Sequence, residues 1–218
     1  MKAVVVADGE PDPRDAAHVT DADLIVAADG GAGWLDAIGI TPSLLVGDLD
    51  SIDGGLLDRL RAADVRVEHH PADKDASDAE LALRRAVESG ADEIVVLGGL
   101  GGERLDHELA NLLLLADPSL RAIRDLQLVR GGTAVRVLSA GVELRLGGRI
   151  GDLVTLLPIG GDAAGVRTQG LRFPLEGERL ALGPSRGLSN VVVDPPASVS
   201  LERGTLLVVE IESEGVTE

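Results

Sequence analysis

The chain has no cysteine, which removes disulfides, zinc–thiolate sites and a thiol nucleophile from consideration. Aromatic side chains are almost as scarce: Trp34 and Phe173 stand alone, with no tyrosine. A ligand with flat rings therefore finds few surfaces on which to stack. Positive charge is short as well, 20 basic residues against 37 acidic ones for a net charge of −17, and Lys2 and Lys74 are the only lysines. So acidic a chain is repelled by nucleic acid and by anionic membranes, and neither is an expected partner. A phosphate-bearing ligand would need positive charge supplied locally, by a divalent cation or a few arginines. Long apolar runs are missing too. Stretches such as Leu24–Ala28 and Leu112–Ala116 fall far short of the roughly 20 residues that span a bilayer. The opening segment meets Asp8 before a full signal-peptide apolar region can form, and a cytoplasmic protein is expected.

What is present is the composition of a globular protein, 44% hydrophobic and 26% charged over 218 residues, enough for one large domain or two modest ones. In the first half, short β-rich runs alternate with helix-length segments. Strands are predicted at Lys2–Ala7, Leu24–Ala28, Leu44–Val46, Val65–Glu68 and Glu93–Leu97. Several are apolar throughout, as in a parallel sheet covered on both faces. Helices are predicted near 31–38, 54–63, 77–89 and 106–116, the third opened by Ser77 with Glu80 three residues on, a capping box. Such alternation implies an α/β layer built from right-handed crossovers. Near residue 130 the pattern changes to strand-like runs separated by Gly and Pro turns, with no convincing helix. Runs at Thr133–Leu138, Val142–Leu146, Asp152–Leu157, Leu180–Leu182, Asn190–Val193, Ser198–Leu201 and Leu206–Ile211 predict a β-sandwich. The expected organisation is an α/β domain over 1–130 and an all-β domain over 131–218, with a loose end from Ser213.

Open parallel sheets bind ligands at the carboxyl ends of their strands, and four strand ends here deliver glycines or carboxylates. They are Asp29-Gly30-Gly31-Ala32, Gly47-Asp48-Leu49-Asp50-Ser51, the segment His69 to Asp78 containing Asp73, Lys74 and Asp75, and Gly98-Gly99-Leu100-Gly101-Gly102-Glu103-Arg104-Leu105-Asp106-His107. Asp48 and Asp50 flank one residue, so an extended turn would aim both the same way. Alone such a pair commonly caps backbone amides. With Asp29, Asp73, Asp75 and Asp78 at the same edge, a cation is needed to offset the repulsion, and hard oxygen ligands suit Mg²⁺. Glycines after a strand let backbone amides approach phosphate oxygens; no Lys-Ser/Thr pair follows, so this is not a Walker A loop. Arg104 and Lys74 are candidate phosphate clamps, or surface partners of nearby acids. Asp106 is expected to cap a helix and His107 to pack; His69 and His70 are weak ligand candidates.

Taken in order, these segments, with Asn111, Gly170-Leu171-Arg172-Phe173-Pro174-Leu175 and Ser185-Arg186-Gly187-Leu188-Ser189-Asn190, resemble the thiamine pyrophosphokinase family across nearly the whole chain. The resemblance implies an α/β catalytic domain followed by a β-sandwich that binds thiamine. It implies a homodimer whose active site lies between one subunit's α/β domain and the other's β domain. Asp48 and Asp50 would hold Mg²⁺ with Asp75 or Asp78. Arg104, Lys74 and the loop of Gly99, Gly101 and Gly102 would grip ATP, helped by Ser51 and Asn111. Asp29 and Asp106 would organise the site, and Ser189 with Asn190 would contact thiamine. The reaction implied is attack by the thiamine hydroxyl on the β-phosphorus of ATP, with Asp75 or Asp78 taking the proton. Two departures stand out: Glu103 intervenes before Arg104, and no tryptophan follows the Ser-Asn pair, so Val191–Pro196 offers no ring to stack on. Trp34 and Phe173 remain as stacking candidates, with core packing the first expectation for both. Three alternatives remain: a haloacid-dehalogenase-type phosphatase using Asp48 and Asp50, a diphosphokinase for a pterin-like alcohol, and a non-catalytic nucleotide or thiamine binder.

Overall fold

The structure is a computed structural model that describes residues 1–213. It divides into two compact units, Met1–Gly131 and Gly132–Glu218.

The first unit is an α/β layer. Its strands are β1 (Lys2–Val6), β2 (Leu24–Ala28), β3 (Leu44–Gly47), β4 (Arg66–His69), β5 (Glu93–Leu97) and β6 (Asp125–Arg130). Their order is β6-β5-β1-β2-β3-β4, all pairs parallel. The wholly apolar runs occupy the middle: Val4, Val5, Val6, Val26 and Leu97 are completely inaccessible, as strands covered on both faces require. The helices are α1 (Ala16–Thr20), α2 (Gly31–Ala37), α3 (Gly54–Ala62), α4 (Asp78–Glu88) and α5 (Leu105–Leu114). Helix α4 packs across β1, β2 and β3 through Ala82, Leu83 and Ala86. It begins where Ser77 Oγ accepts the Glu80 amide at 3.2 Å. Only that half of the expected capping box forms, since the Glu80 carboxylate pairs instead with Arg84.

The chain lays down β1 to β4 in one direction and then returns to the other side of β1 for β5 and β6. The reversal falls between β1 and β5, which makes the carboxyl edge of those strands the crevice of the sheet. Backbone bonds extend the pairing past both strands, from Ala7 N to Leu97 O (2.8 Å), Gly9 N to Gly98 O (2.9 Å) and Glu10 N to Gly101 O (2.8 Å). Neither α1 nor β6 is anticipated by the sequence pattern. Helix α1 is short and follows a 3-10 turn at Pro13–Asp15, whose cap Asp12 accepts the Arg14 amide.

The second unit is a sandwich of antiparallel strands without a helix among the described residues. Its strands are β7 (Thr133–Ser139), β8 (Glu143–Arg145), β9 (Leu153–Pro158), β10 (Ala163–Gln169), β11 (Glu176–Leu180), β12 (Asn190–Val191), β13 (Ser198–Ser200) and β14 (Thr205–Ile211). One layer runs β12-β9-β14-β7 and the other β11-β10-β13-β8. Leu156, Leu206 and Val208 of the first layer share one buried cluster with Val166, Leu180 and Val199 of the second. Strand β10 is absent from the sequence-based set, and the strand expected at Leu180–Leu182 lies earlier, at Glu176–Leu180. The loose end is corrected at its first residue: Ser213 is held by Asp152 through its amide (2.9 Å) and hydroxyl (3.2 Å). The rest of that stretch, 214–218, lies outside the described residues.

Candidate active site

A cleft of about 670 Å³ opens at the carboxyl edge of the first unit, lined among others by Asp8, Asp29, Asp48, Asp50, Ser51, Asp78, Gly98 to Gly102, Arg104, His107 and Asn111. Asp8, Asp29 and the pair Asp48 and Asp50 follow the ends of β1, β2 and β3, and Asp78 opens α4. Asp29 follows β2 in the left-handed region (φ 44°), and Leu49 between the Asp48 and Asp50 pair does the same (φ 66°). A branched residue such as leucine takes that conformation only at a cost of roughly 1–2 kcal/mol, which marks the turn as imposed by its surroundings. The two acids therefore reach the cleft through a left-handed turn and not through the extended pleat expected. The Asp50 amide lies 3.3 Å from Asp48 Oδ1 and closes the turn.

Asp29, Asp48 and Asp78 bring one carboxylate oxygen each to within 4.8 Å of one another. Asp29 is 5% exposed, and its Oδ1 is buried with no hydrogen-bond partner. A buried, unpartnered carboxylate oxygen beside two further carboxylates is costly while ionised and is relieved by a shared cation, and an all-oxygen donor set fits Mg²⁺. Of the expected ligands, Asp48 and Asp50 with Asp75 or Asp78, this group contains Asp48 and Asp78 and adds Asp29. Asp50 lines the same cleft but stands outside the compact group, and Asp75 is exposed and not part of the lining.

Burial pushes the Asp29 carboxyl above its ordinary value, the Ser51 hydroxyl works against that shift, and Asp48, Asp78 and Asp50 add to it. Asp48 is held low, first by the Asp50 amide and then, against burial, by Lys74. A carboxyl whose pKa is raised by folding leaves stability intact below the ordinary carboxylate range and subtracts from it as pH climbs through the raised value. Asp29→Asn is therefore expected to raise the Tm of the metal-free protein at pH 7, with the gain shrinking as pH falls toward 4. Thermal melts in EDTA across that range test this, and a lower Tm for the variant at pH 7 would contradict it.

Asp8 was not singled out by the sequence pattern, where it read only as the end of an apolar run. It follows β1, lines the cleft, and is raised by burial and then by Asp29, Asp50 and Asp78. Gly30 makes room for it, because a Cβ there would lie 1.8 Å from Asp8 Oδ1. A strand-end position shared with Asp29 and Asp48 was the signal available.

The glycine loop is braced by Asn111, expected to contact ligand, and by Glu108, which the sequence pattern did not mark. Asn111 Nδ2 donates to Gly99 O at 3.1 Å, and Glu108 Oε1 accepts the Gly102 amide at 3.1 Å. Arg104 pairs with Asp106 through Nε (2.9 Å) and a terminal nitrogen (2.6 Å), both side chains being exposed. Asp106 is not the helix cap, since α5 starts at Leu105 behind Arg104. His107 is exposed and lines the cleft, where a packed ring was expected. Lys74 lies on Asp48 and Asp78. Of the histidines at the end of β4, neither joins the lining.

In the second unit Ser189 takes a left-handed φ of 56°, and its amide donates to Thr155 Oγ1 at 3.0 Å. The Asn190 side chain is occupied: Oδ1 accepts the Phe173 amide (3.0 Å) and Nδ2 donates to Phe173 O (2.7 Å). Phe173 is 63% exposed, in place of the core position expected, while Trp34 is half-buried on α2.

Two family models match in succession, the thiamin pyrophosphokinase catalytic domain over residues 16–125 and the thiamin pyrophosphokinase vitamin B1 binding domain over residues 142–206. The chain belongs to the thiamin pyrophosphokinase family. Asp8 lies ahead of the matched catalytic region. A thiamine pyrophosphokinase of Bacillus subtilis is 26% identical over 215 residues, covering 96% of this chain and 98% of its own length. Thiamine pyrophosphokinase 1 of Arabidopsis thaliana is 27% identical, with 90% of this chain and 81% of that protein covered. The crystal structure of the Bacillus subtilis enzyme superposes with a TM-score of 0.86 at 25% identity, over 98% of this chain and 100% of that one. That of Geobacillus thermodenitrificans superposes at 0.83 and 26%, over 99% of each chain. As a member of the thiamin pyrophosphokinase family the chain is a transferase, and the phosphatase alternative falls; its Asp48 and Asp50 follow the third strand of the layer, not the first.

Proposed function

We propose that the chain transfers the diphosphate of ATP to the hydroxyl of thiamine, yielding thiamine diphosphate and AMP. The observation that supports it most is the buried, unpartnered Asp29 oxygen beside Asp48 and Asp78, in a cleft that also holds the Gly98–Gly102 loop. Asp29, Asp48 and Asp78 would hold Mg²⁺, which when bound neutralises charge on the diphosphate. Backbone amides of the glycine loop approach the phosphates because no side chain intervenes, and Arg104 at the rim supplies a guanidinium to them. The thiamine oxygen forms a bond to the β-phosphorus as the bond from that phosphorus to the α–β bridging oxygen breaks, and AMP departs with that oxygen. The hydroxyl proton passes to a carboxylate; with Asp78 in the compact group and Asp75 outside the lining, Asp50 is the acid we assign to that role. Most of the rate gain comes from positioning and charge neutralisation. Consumption of ATP accords with a cytoplasmic setting; no helix among the described residues is long and apolar enough to cross a membrane.

The acceptor's rings are assigned to the second unit, whose one aromatic side chain is the exposed Phe173. The Asn190 side chain fixes the Phe173 backbone on both sides, so it acts by positioning. Phe173→Ala is expected to raise KM for thiamine roughly fivefold, the equivalent of a ring stack worth about 1 kcal/mol, with KM for ATP unchanged. Steady-state kinetics in both substrates decide it; an unaltered thiamine KM would remove Phe173 from the site. We take the active form to be a homodimer. Leu105, Leu109 and Leu113 form an exposed stripe along α5 (67%, 51% and 58%), a helix whose Arg104 cap, His107, Glu108 and Asn111 line the cleft. Light scattering that finds only monomer in active preparations would contradict this.

The test of the reaction is AMP release from ATP and Mg²⁺ with and without thiamine. AMP that appears only with thiamine supports the proposal. AMP that requires a pterin-like alcohol would move the acceptor, and ATP binding without AMP from any acceptor would leave a binding protein.

A further inference from the structure

Lys74 occupies an unusual place for a phosphate clamp. Its Nζ lies 3.0 Å from Asp78 Oδ1 and 3.4 Å from Asp48 Oδ2, with the lysine side chain only 13% exposed. Those are two of the three carboxylates of the compact group, and the third, Asp29, keeps a buried oxygen without a partner. The ammonium thus stands where a positive charge is required, on two of the carboxylates a divalent cation would use. Two cations cannot share them comfortably, because Mg²⁺ binds oxygen at about 2.0–2.1 Å and would face the ammonium across the same carboxylates. The segment between β4 and α4 that bears Lys74 has no regular secondary structure and exposes Asp73 and Asp75 on either side. The other candidate clamp, Arg104, which lines the cleft, is already engaged by Asp106.

We infer that Lys74 is the resident counter-ion of the carboxylate group, and that it yields Asp48 and Asp78 to the divalent cation and carries its charge to the nucleotide's phosphates. The inference rests on the proposed cation site and adds to it an exchange. Before the cation arrives, Lys74 offsets the mutual repulsion of acids that would otherwise open the cleft. Afterwards the same ammonium is the charge set free, so that metal binding prepares the phosphate site.

The chain has two lysines, which makes the exchange directly readable. The full-length protein is treated with limiting acetic anhydride, with and without saturating Mg²⁺, and acetylation of Lys74 is compared by mass spectrometry with that of Lys2 on β1. The expected result is a severalfold rise in Lys74 labelling relative to Lys2 when Mg²⁺ is added, with neither ATP nor thiamine present. In parallel, Mn²⁺ affinity is measured by calorimetry for wild type, Lys74→Met and Arg59→Met, the last removing the same charge from an exposed pair with Asp36 on the first unit. Lys74→Met is expected to bind Mn²⁺ about tenfold more tightly, and Arg59→Met within twofold of wild type. Mn²⁺ binding with unchanged Lys74 labelling, or equal affinities in the two variants, would overturn the exchange while leaving the cation site standing. No Mn²⁺ binding at all would overturn both, whereas thiamine-dependent AMP release, assayed separately, speaks to the reaction alone.

Discussion

Asp48→Asn is expected to lower thiamine-dependent AMP release by about 10²–10³-fold, the range found when one preorganised electrostatic partner of a reacting group is removed. The substitution is nearly isosteric. Its Oδ1 can still accept the Asp50 amide that closes the turn at 3.3 Å, and the left-handed Leu49 is untouched. What changes is charge: one of the three convergent carboxylates becomes neutral, and Lys74 keeps only Asp78 as an anionic partner. The loss should therefore fall on kcat and on the Mg²⁺ requirement, with Tm close to that of wild type. Kinetics over a Mg²⁺ titration, alongside thermal melts, test this. A fall of less than tenfold at saturating Mg²⁺ would remove Asp48 from the cation site.

Gly98→Ala is expected to cost about 3 kcal/mol of stability, a large effect for one methyl group. Two causes add. Gly98 has φ 65°, and a Cβ there would lie 2.3 Å from Ala7 O. The obstacle is backbone of the segment directly after β1, so no side chain can swing aside. Across the same seam Gly9 is equally confined, its Cβ position 2.2 Å from Gly98 O. The two glycines let the chain segments after β1 and β5 lie against each other, which holds the glycine loop at the crevice. Denaturant unfolding measures the loss. Gly102→Ala is the comparison, since its Cβ would meet only Gly9 Cα at 3.9 Å, and its cost should stay below about 1 kcal/mol. Equal stabilities for the two variants would show that the seam tolerates displacement.

These expectations rest on features of unequal visibility in the sequence. Strands such as KAVVV and EIVVL are legible because a run apolar on both faces fits a buried parallel sheet. Strand β10, with the sequence AAGVRTQ, is not. Its residues have weak β preference, and Gly165 (φ 67°) interrupts the alternation where the register shifts against β11. Tertiary pairing on both sides makes it a strand. Strand β6, with the sequence DLQLVR, hides at the change of pattern near residue 130, because Asp125, Gln127 and Arg130 break the apolar run that marks the other central strands.

The site follows the same division. That acids and glycines gather at one sheet edge was readable from strand spacing. Which acids converge was not, because the choice among Asp73, Asp75 and Asp78 depends on where α4 begins. Ser77 caps that helix, which seats Asp78 at its first turn beside the cluster and leaves Asp75 outside. Asn111 and Asn190 could be seen as important but not as braces, since only coordinates show their amides already committed to Gly99 and Phe173. The role of Asp8 needed the strand order, which puts β1 next to both β2 and β5.

The central claim is that this cleft moves a diphosphate and not a single phosphate. Following ATP, Mg²⁺ and thiamine by phosphorus NMR decides it, because the products reveal which bond breaks. AMP and thiamine diphosphate accumulating in equal amounts, with no ADP, is the predicted result. ADP with thiamine monophosphate, or ADP with inorganic phosphate, would contradict it.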